Sequence, residues 1–217
     1  NEENLEFNLE NLEPQIIFRN ISRGHRLINN KILIKHPDKY LDSLETFGVI
    51  VNRTKRKKII NDLINNAALD LKLHPDLSEK LLNEITDLVE SPDLVVGNFD
   101  IEYLSLPVEV LCTVMKNHQR YIPLFKTNKK FSKLDLDSKK TLSTKFCLIS
   151  NGLKEANKAI KRGNENVLKA RFADAKFFIE TDLNLSCNQR NKKISSISYL
   201  KGLGNIAEKV ERIIFIS

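Results

Sequence analysis

The chain has 217 residues, 41% hydrophobic and 29% charged, with a formal net charge of +7 at pH 7. That length allows one or two domains and a real core, burying roughly 70% of the unfolded surface. It holds no run of about 18 apolar residues, which excludes a membrane-spanning helix, and its positive balance suits a polyanionic partner without requiring one.

Cys112, Cys147 and Cys187 are far apart, which excludes a paired disulfide framework and any CxxC zinc site and suits a reducing compartment. His25, His36, His74 and His118 lack metal-ligand spacing, so no metal site is expected. The start has no initiator Met, and the end, KVERIIFIS, breaks off in an apolar helical pattern. Both ends are expected to be cut.

Residues 1–15 are polar and read as a linker or tail. Ile16–Ile21 reads as a strand, followed at once by Ser22-Arg23-Gly24-His25-Arg26. Gly24 permits a tight turn, and Arg23, His25 and Arg26 place up to three positive groups around it. Such a loop suits a phosphate, or is simply a solvated basic turn. Ile32–Lys35 is a short strand, and Pro37–Phe47 a helix closed by Gly48. Val49–Val51 makes another strand, and Arg53–Leu73 a long helix with Ile59, Ile60, Leu63, Ile64, Ala67 and Leu71 inward. Its first turns carry Arg53, Lys55, Arg56, Lys57 and Lys58, against the helix dipole, as an RNA contact or a solvated face.

Asp76-x-x-Glu79 reads as a capping box for the next helix, whose stripe is Leu77, Leu81, Leu82, Ile85, Leu88 and Val89. Leu94–Phe99 is a strand. Pro107 suits a first helical position, and Val110, Leu111, Val114 and Met115 then fall on one side, with His118 beside them. His118 is therefore a satisfied core histidine or a chemical participant. The helix ends in His118-Gln119-Arg120-Tyr121, four hydrogen-bonding side chains crowded before the strand-like Tyr121–Phe125. Residues 126–144 read as a charged connector, and Phe146–Ser150 returns as an antiparallel strand ending at Asn151-Gly152. Gly163-Asn164 marks a break, with Asn164 capping a helix to about Thr181. Leu168, Phe172, Ala175 and Ile179 form its stripe, and Phe177 opposite suggests a second covered side. Lys161, Arg162, Lys169 and Lys176 add positive charge.

LPVEVLCTVMKNHQRYIPLF resembles the "LP-x-E-x-L…M-x-x-HQRY-x-P" segment of the beta chain of bacterial two-subunit glycyl-tRNA synthetases. RGHRL is similar to that family's "RGHRF", with Leu27 in place of Phe. ITDLVESPDLVVGNFDIEYLSLP, GNENVLKARFADAKFFIETD and LKGLGNIAEKVERI resemble three further segments, in the right order. The likeness runs from about Phe18 to Ile214, and it identifies the chain as a central or N-proximal fragment of such a beta chain.

The resemblance implies ligation of glycine to its tRNA with ATP, giving AMP and pyrophosphate. It places the adenylate site, with ATP and Mg, on a separate alpha chain, and implies no cofactor on this piece. The beta chain would supply tRNA binding within an assembly of two alpha and two beta chains, in the bacterial cytoplasm or the stroma or matrix of a bacterial-type organelle. We assign no catalytic residues and no metal ligands. Charge and motif position nominate Arg23, His25 and Arg26, then Gln119 and Arg120, then Arg162, Lys169 and Arg171 as tRNA contacts. Arg171 and His118 serve equally as hydrogen-bonding spacers between elements.

The expected fold is α+β, a mixed, largely antiparallel sheet packed with helices, followed by the start of an all-helical region. The expected division is residues 16–185 for the α+β domain and 186–217 for the helical start. Two other classes stand as alternatives. A non-catalytic RNA-binding or scaffold module would bind RNA without affecting aminoacylation. A hydrolytic editing domain would need a water-positioning pocket, for instance around His118 and Gln119, though no proteinogenic amino acid is smaller than glycine.

Overall fold

A computed structural model describes residues 20–28, 31–127 and 138–217. The polar start, the first part of the strand expected from Ile16 and the middle of the charged connector lie outside the described residues. The α+β class holds, and each described strand pairing is antiparallel. Two compact units divide after Phe172.

In the first unit, β1 (Ile21–Ser22) pairs with β2 (Ile32–Leu33), bracketing the basic loop. A 3-10 turn at Pro37–Lys39 leads into α1 (Tyr40–Thr46). Gly48, at φ +80°, closes α1 in the left-handed region, and a Cβ there would lie 2.5 Å from Ile28 and 3.1 Å from His25. Glycine is required twice over. Val49–Val51 forms no strand; its Ile50 N–H donates instead to the Glu90 carbonyl at 2.9 Å.

Helix α2 (Arg53–Asp70) is capped by Asn52, whose side chain accepts from the Lys55 N–H. It buries Ile60, Ile64 and Ala68, a narrower stripe than expected, and closes with Lys72 at φ 54°. The basic run at its start is tied up internally. Arg53 grips Asp87 through two bonds of 2.6 and 2.9 Å, Lys55 reaches Glu45 at 2.5 Å, and Lys57 pairs with Glu79. Arg56 donates to the carbonyls of Ile50 and Thr86. The Arg53 hydrogen bond holds the Asp87 carboxyl below the usual carboxylate range. Four of the five cations therefore pin α2 to its neighbours.

Strand β3 (His74–Pro75) precedes α3 (Glu79–Leu88). The cap is Ser78, which accepts from the Leu81 N–H, and not Asp76. Asp76 still bonds in the sheet through its N–H to the Pro123 carbonyl, so the helix starts two residues later than the capping-box pattern suggests. Asp76 instead accepts from Lys116 at 2.7 Å. β4 (Asp93–Asn98) then leads through a 3-10 segment to α4 (Val108–Thr113). β5 (Ile122–Phe125), α5 (Ser138–Thr141), β6 (Leu142–Ser150) and α6 (Asn157–Leu183) follow.

The sheet order is β3-β5-β6-β4. Pro123 sits where the β5–β6 register shifts, a position that tolerates a missing N–H. Ile122, Leu124 and Cys147 join Ile60, Ile64 and Ile85 from α2 and α3 in one core cluster. Alternation sends the neighbouring Phe146 to the opposite face. There it is fully buried and stacks on Tyr121, with ring centroids 4.9 Å apart and an interplanar angle of 25°. A Cβ on Gly97 would lie 2.4–2.9 Å from that same ring, so only glycine lets β4 pass it. Phe172 forms the centre of a second cluster, edge-on to Phe99 at 5.0 Å.

Helix α6 runs unbroken through Gly163, so the break expected there is absent. Asn164 does not cap; its Nδ2 donates to the Ile160 carbonyl at 2.7 Å and its Oδ1 accepts from Tyr121. The second unit contains the end of α6, then α7 (Cys187–Lys193) with a Ser186/Gln189 capping box, and α8 (Ile206–Ile216) capped by Asn205. Phe177 and Phe178 are both exposed, contrary to the expected second covered side. Among the described residues no helix is long and apolar enough to cross a membrane.

Burial pushes the Cys112 thiol up to about 12 and the Cys147 thiol up to about 11, while Cys187 is exposed. A maleimide at neutral pH should therefore label Cys187 alone in the folded protein, with the other two reacting only after denaturation. Mass spectrometry of the labelled protein measures this directly, and early modification of Cys112 would contradict the packing.

Candidate nucleic-acid interface

The site is built around the end of α4. Its inward residues are Val108, Leu111, Cys112 and, one turn on, Met115, a stripe rotated from the one expected. From Val114 to His118 the backbone is a π-helical turn, one residue wider than α. That extra residue turns His118 outward. His118 is exposed, and is not the core histidine its spacing suggested. Arg120 then adopts φ 56°, and the Tyr121 N–H returns to the Met115 carbonyl at 2.9 Å, closing the turn.

Tyr121 is buried, and its hydroxyl donates to Asn164 Oδ1 at 2.5 Å. Burial pushes its phenol up to about 12. Asn164 thereby fastens α6 to the strand that follows Arg120. Asn151 makes a matching tie on the other side, accepting from the Glu90 and Ser91 N–H groups at 3.1 and 2.9 Å. Between these ties lies a groove of about 500 Å³. Arg26 from the first basic loop lines it with Gln119 and Arg120, although the two segments are far apart in sequence. Its floor is apolar, with Leu88, Ile149 and Ile160 among the lining residues, and among the described residues no aspartate or glutamate lines it.

The other candidates lie elsewhere. His25 is fully buried, its N–H bonded to the Phe47 carbonyl at 2.9 Å and its Nδ1 accepting from the Leu27 N–H at 3.4 Å. It shapes the loop from within, with Nε2 4.0 Å from Glu90, and presents no face to a partner in this conformation. Arg23 is exposed near it. Arg162, Lys169 and Arg171 are exposed along α6 and do not line the groove. Lys169 pairs with Asp100 at 3.0 Å, and that hydrogen bond holds its ammonium above the ordinary lysine range. Arg120 has a long contact of 3.9 Å with Glu84. Tyr121, Asn151 and Asn164, which hold the groove's walls, are not among the residues that charge and motif position single out; the place of Tyr121 at the end of a polar cluster is the one signal the sequence carries for them.

The sequence model of the family described as "Glycyl-tRNA synthetase beta subunit" matches residues 1–217. The chain belongs to that family. Among curated members of the glycyl-tRNA synthetase beta subunit family, the glycine–tRNA ligase beta subunit of Trichodesmium erythraeum is 39% identical over 217 residues, which is 100% of this chain and 29% of the relative. That of Listeria welshimeri is 37% identical over 194 residues, 89% of this chain and 27% of the relative. That of Halothermothrix orenii is 36% identical over 193 residues, 88% and 26%. The chain thus spans between a quarter and three tenths of the length of these relatives. Within this family chain, Gly97, Phe146, Tyr121 and Asn164 form one continuous line of contact from β4 to α6.

Arg120 at a left-handed φ gives a test of position against side chain. Arg120→Gly should keep stability within about 1 kcal/mol of the starting protein, because glycine removes the steric cost of that φ and adds chain entropy. Arg120→Val should destabilise by more, and urea denaturation of both variants compares them.

Proposed function

We propose that this chain acts as part of the beta subunit of a glycine–tRNA ligase, contributing tRNA binding and assembly with a catalytic alpha chain in the cytoplasm. In this reading ATP, Mg and the adenylate site belong to the alpha chain, and the present residues perform no bond-making step. The observation that carries the RNA-binding part is the convergence of Arg26, Gln119 and Arg120 on one groove whose described lining holds no carboxylate. Family membership supplies the choice of glycine and its tRNA.

The arrangement acts by charge and position. Exposed Arg23, Arg26 and Arg162 have no ion-pair partner among the described residues and are free to meet phosphates. A phosphate near Arg120 replaces its long contact with Glu84 at little loss, whereas one near Lys169 must compete with Asp100. Such contacts are salt-sensitive and fix position rather than sequence.

The test is glycine charging of tRNA by the cognate alpha chain, with and without the full-length form of this chain. Charging that appears only on addition supports the proposal. Charging that is the same without it, with both chains folded and mixed, ends the ligase reading.

A further inference from the structure

We infer that the groove beneath Arg26 and Arg120 holds a single unpaired nucleotide of an RNA strand, its base on the apolar floor and its phosphates against the two guanidinium groups. This rests on the RNA-binding reading above and specifies which part of an RNA the groove takes.

Three features point to that ligand. The volume of about 500 Å³ is in the range of small-molecule sites and accommodates one nucleotide. The floor is apolar and yet wet: Leu88 is 62% exposed and Leu27, also in the lining, 52%. A pure phosphate track has no use for such a floor, whereas a base covers it. Among the described residues the groove's lining holds two arginines and no acid, and the carboxylate in contact with Arg120, that of Glu84, stands 3.9 Å away outside that lining. The Gln119 side chain, with no hydrogen bond among the described residues, offers both a donor and an acceptor to a base edge.

The same features argue against a duplex. In an A-form helix the bases are turned inward and the strand offers phosphates and riboses, so the floor would remain hydrated. An unpaired base presents its faces, and guanidinium planes are suitable partners for them. The walls are also preformed. The Tyr121–Asn164 and Asn151–Glu90 bonds fix α6 and the β6 end on either side, so no folding step is needed before binding.

The experiment measures binding of the full-length protein to a fluorescent RNA strand of about eight nucleotides and to a blunt duplex of the same sequence. The expected result is about tenfold tighter binding of the strand, the worth of one covered base. Leu88→Glu, which charges the floor, and Ala156→Leu, which fills it, should each bring the two affinities within about threefold of each other. Melting temperatures taken alongside show whether each variant is folded, and the wild-type preference is itself a test independent of both. Equal wild-type affinities, or a preference that survives in both folded variants, overturns the nucleotide pocket while leaving RNA binding by the beta chain in place. Displacement of the strand by free AMP at similar concentration would assign the groove to a free nucleotide and overturn the inference in that way. Absence of binding to either RNA removes the RNA-binding reading as well.

Discussion

Phe146→Ala is expected to destabilise the first unit by about 3–5 kcal/mol, the range for emptying a fully buried aromatic site. The ring has no solvent exposure, lies flat against Tyr121 and fills the space over Gly97. Gly97→Val tests the same packing from the other side. Its Cβ would fall 2.4–2.9 Å from the ring, so β4 or Phe146 must move, at about 1–3 kcal/mol or more. Urea denaturation of both variants measures these losses. Tyr121 supplies a second readout. Its phenol stands near 12 because it is buried, so loosening the Phe146 stack should lower its titration midpoint toward the ordinary tyrosine value. If Phe146→Ala left stability within about 1 kcal/mol, the line of contact from β4 to α6 would not be holding the groove.

The second large effect concerns affinity. Reversing two charges together, Arg26→Glu with Arg120→Glu, should weaken tRNA binding by roughly ten- to a hundredfold at physiological salt, since it removes two phosphate partners and adds two repulsive groups. The slope of log affinity against log salt should fall by about one for each phosphate that is no longer bound. Arg53→Gln should leave that slope unchanged, because Arg53 is already engaged with Asp87. This contrast separates the basic groove from the basic run on α2, which look alike as charge in the sequence. A slope equally altered by Arg53→Gln would place the RNA on α2 instead.

The order of helices and strands was readable because most of the elements carry their own pattern. The β4 strand, the antiparallel return of β6 and most of the α3 stripe needed no distant information, although Leu88, expected inward, is 62% exposed and Thr86 is buried instead. Local pattern failed where a distant partner decided the outcome. Gly163 with Asn164 has the chemistry of a helix start, but Tyr121 occupies the Asn164 carbonyl and α6 continues through both residues. Asp76 has the chemistry of a cap, but Lys116 claims it and the sheet holds its backbone. His25 reads as one of three cations on a loop, and its burial depends on Gly48 and Phe47 packing above it.

The groove was half legible for the same reason. Charge and motif position nominated both Arg26 and Arg120. Nothing in the spacing of two segments so far apart says that they face one cavity. The structure adds that convergence, and it leaves Arg162, Lys169 and Arg171 on a separate stretch of α6.

The π-helical turn from Val114 to His118 makes the length of this segment as consequential as its composition. Every residue added to or taken from a helix rotates the residues after it by about 100°. A one-residue deletion there would restore regular helical bonding and improve the local backbone. It would also swing Gln119 and Arg120 round the axis, away from Arg26 across the groove. Relatives that keep this groove should therefore hold the count between Pro107 and Tyr121 constant even where the residues between them change, and gaps in aligned sequences should fall on either side of it.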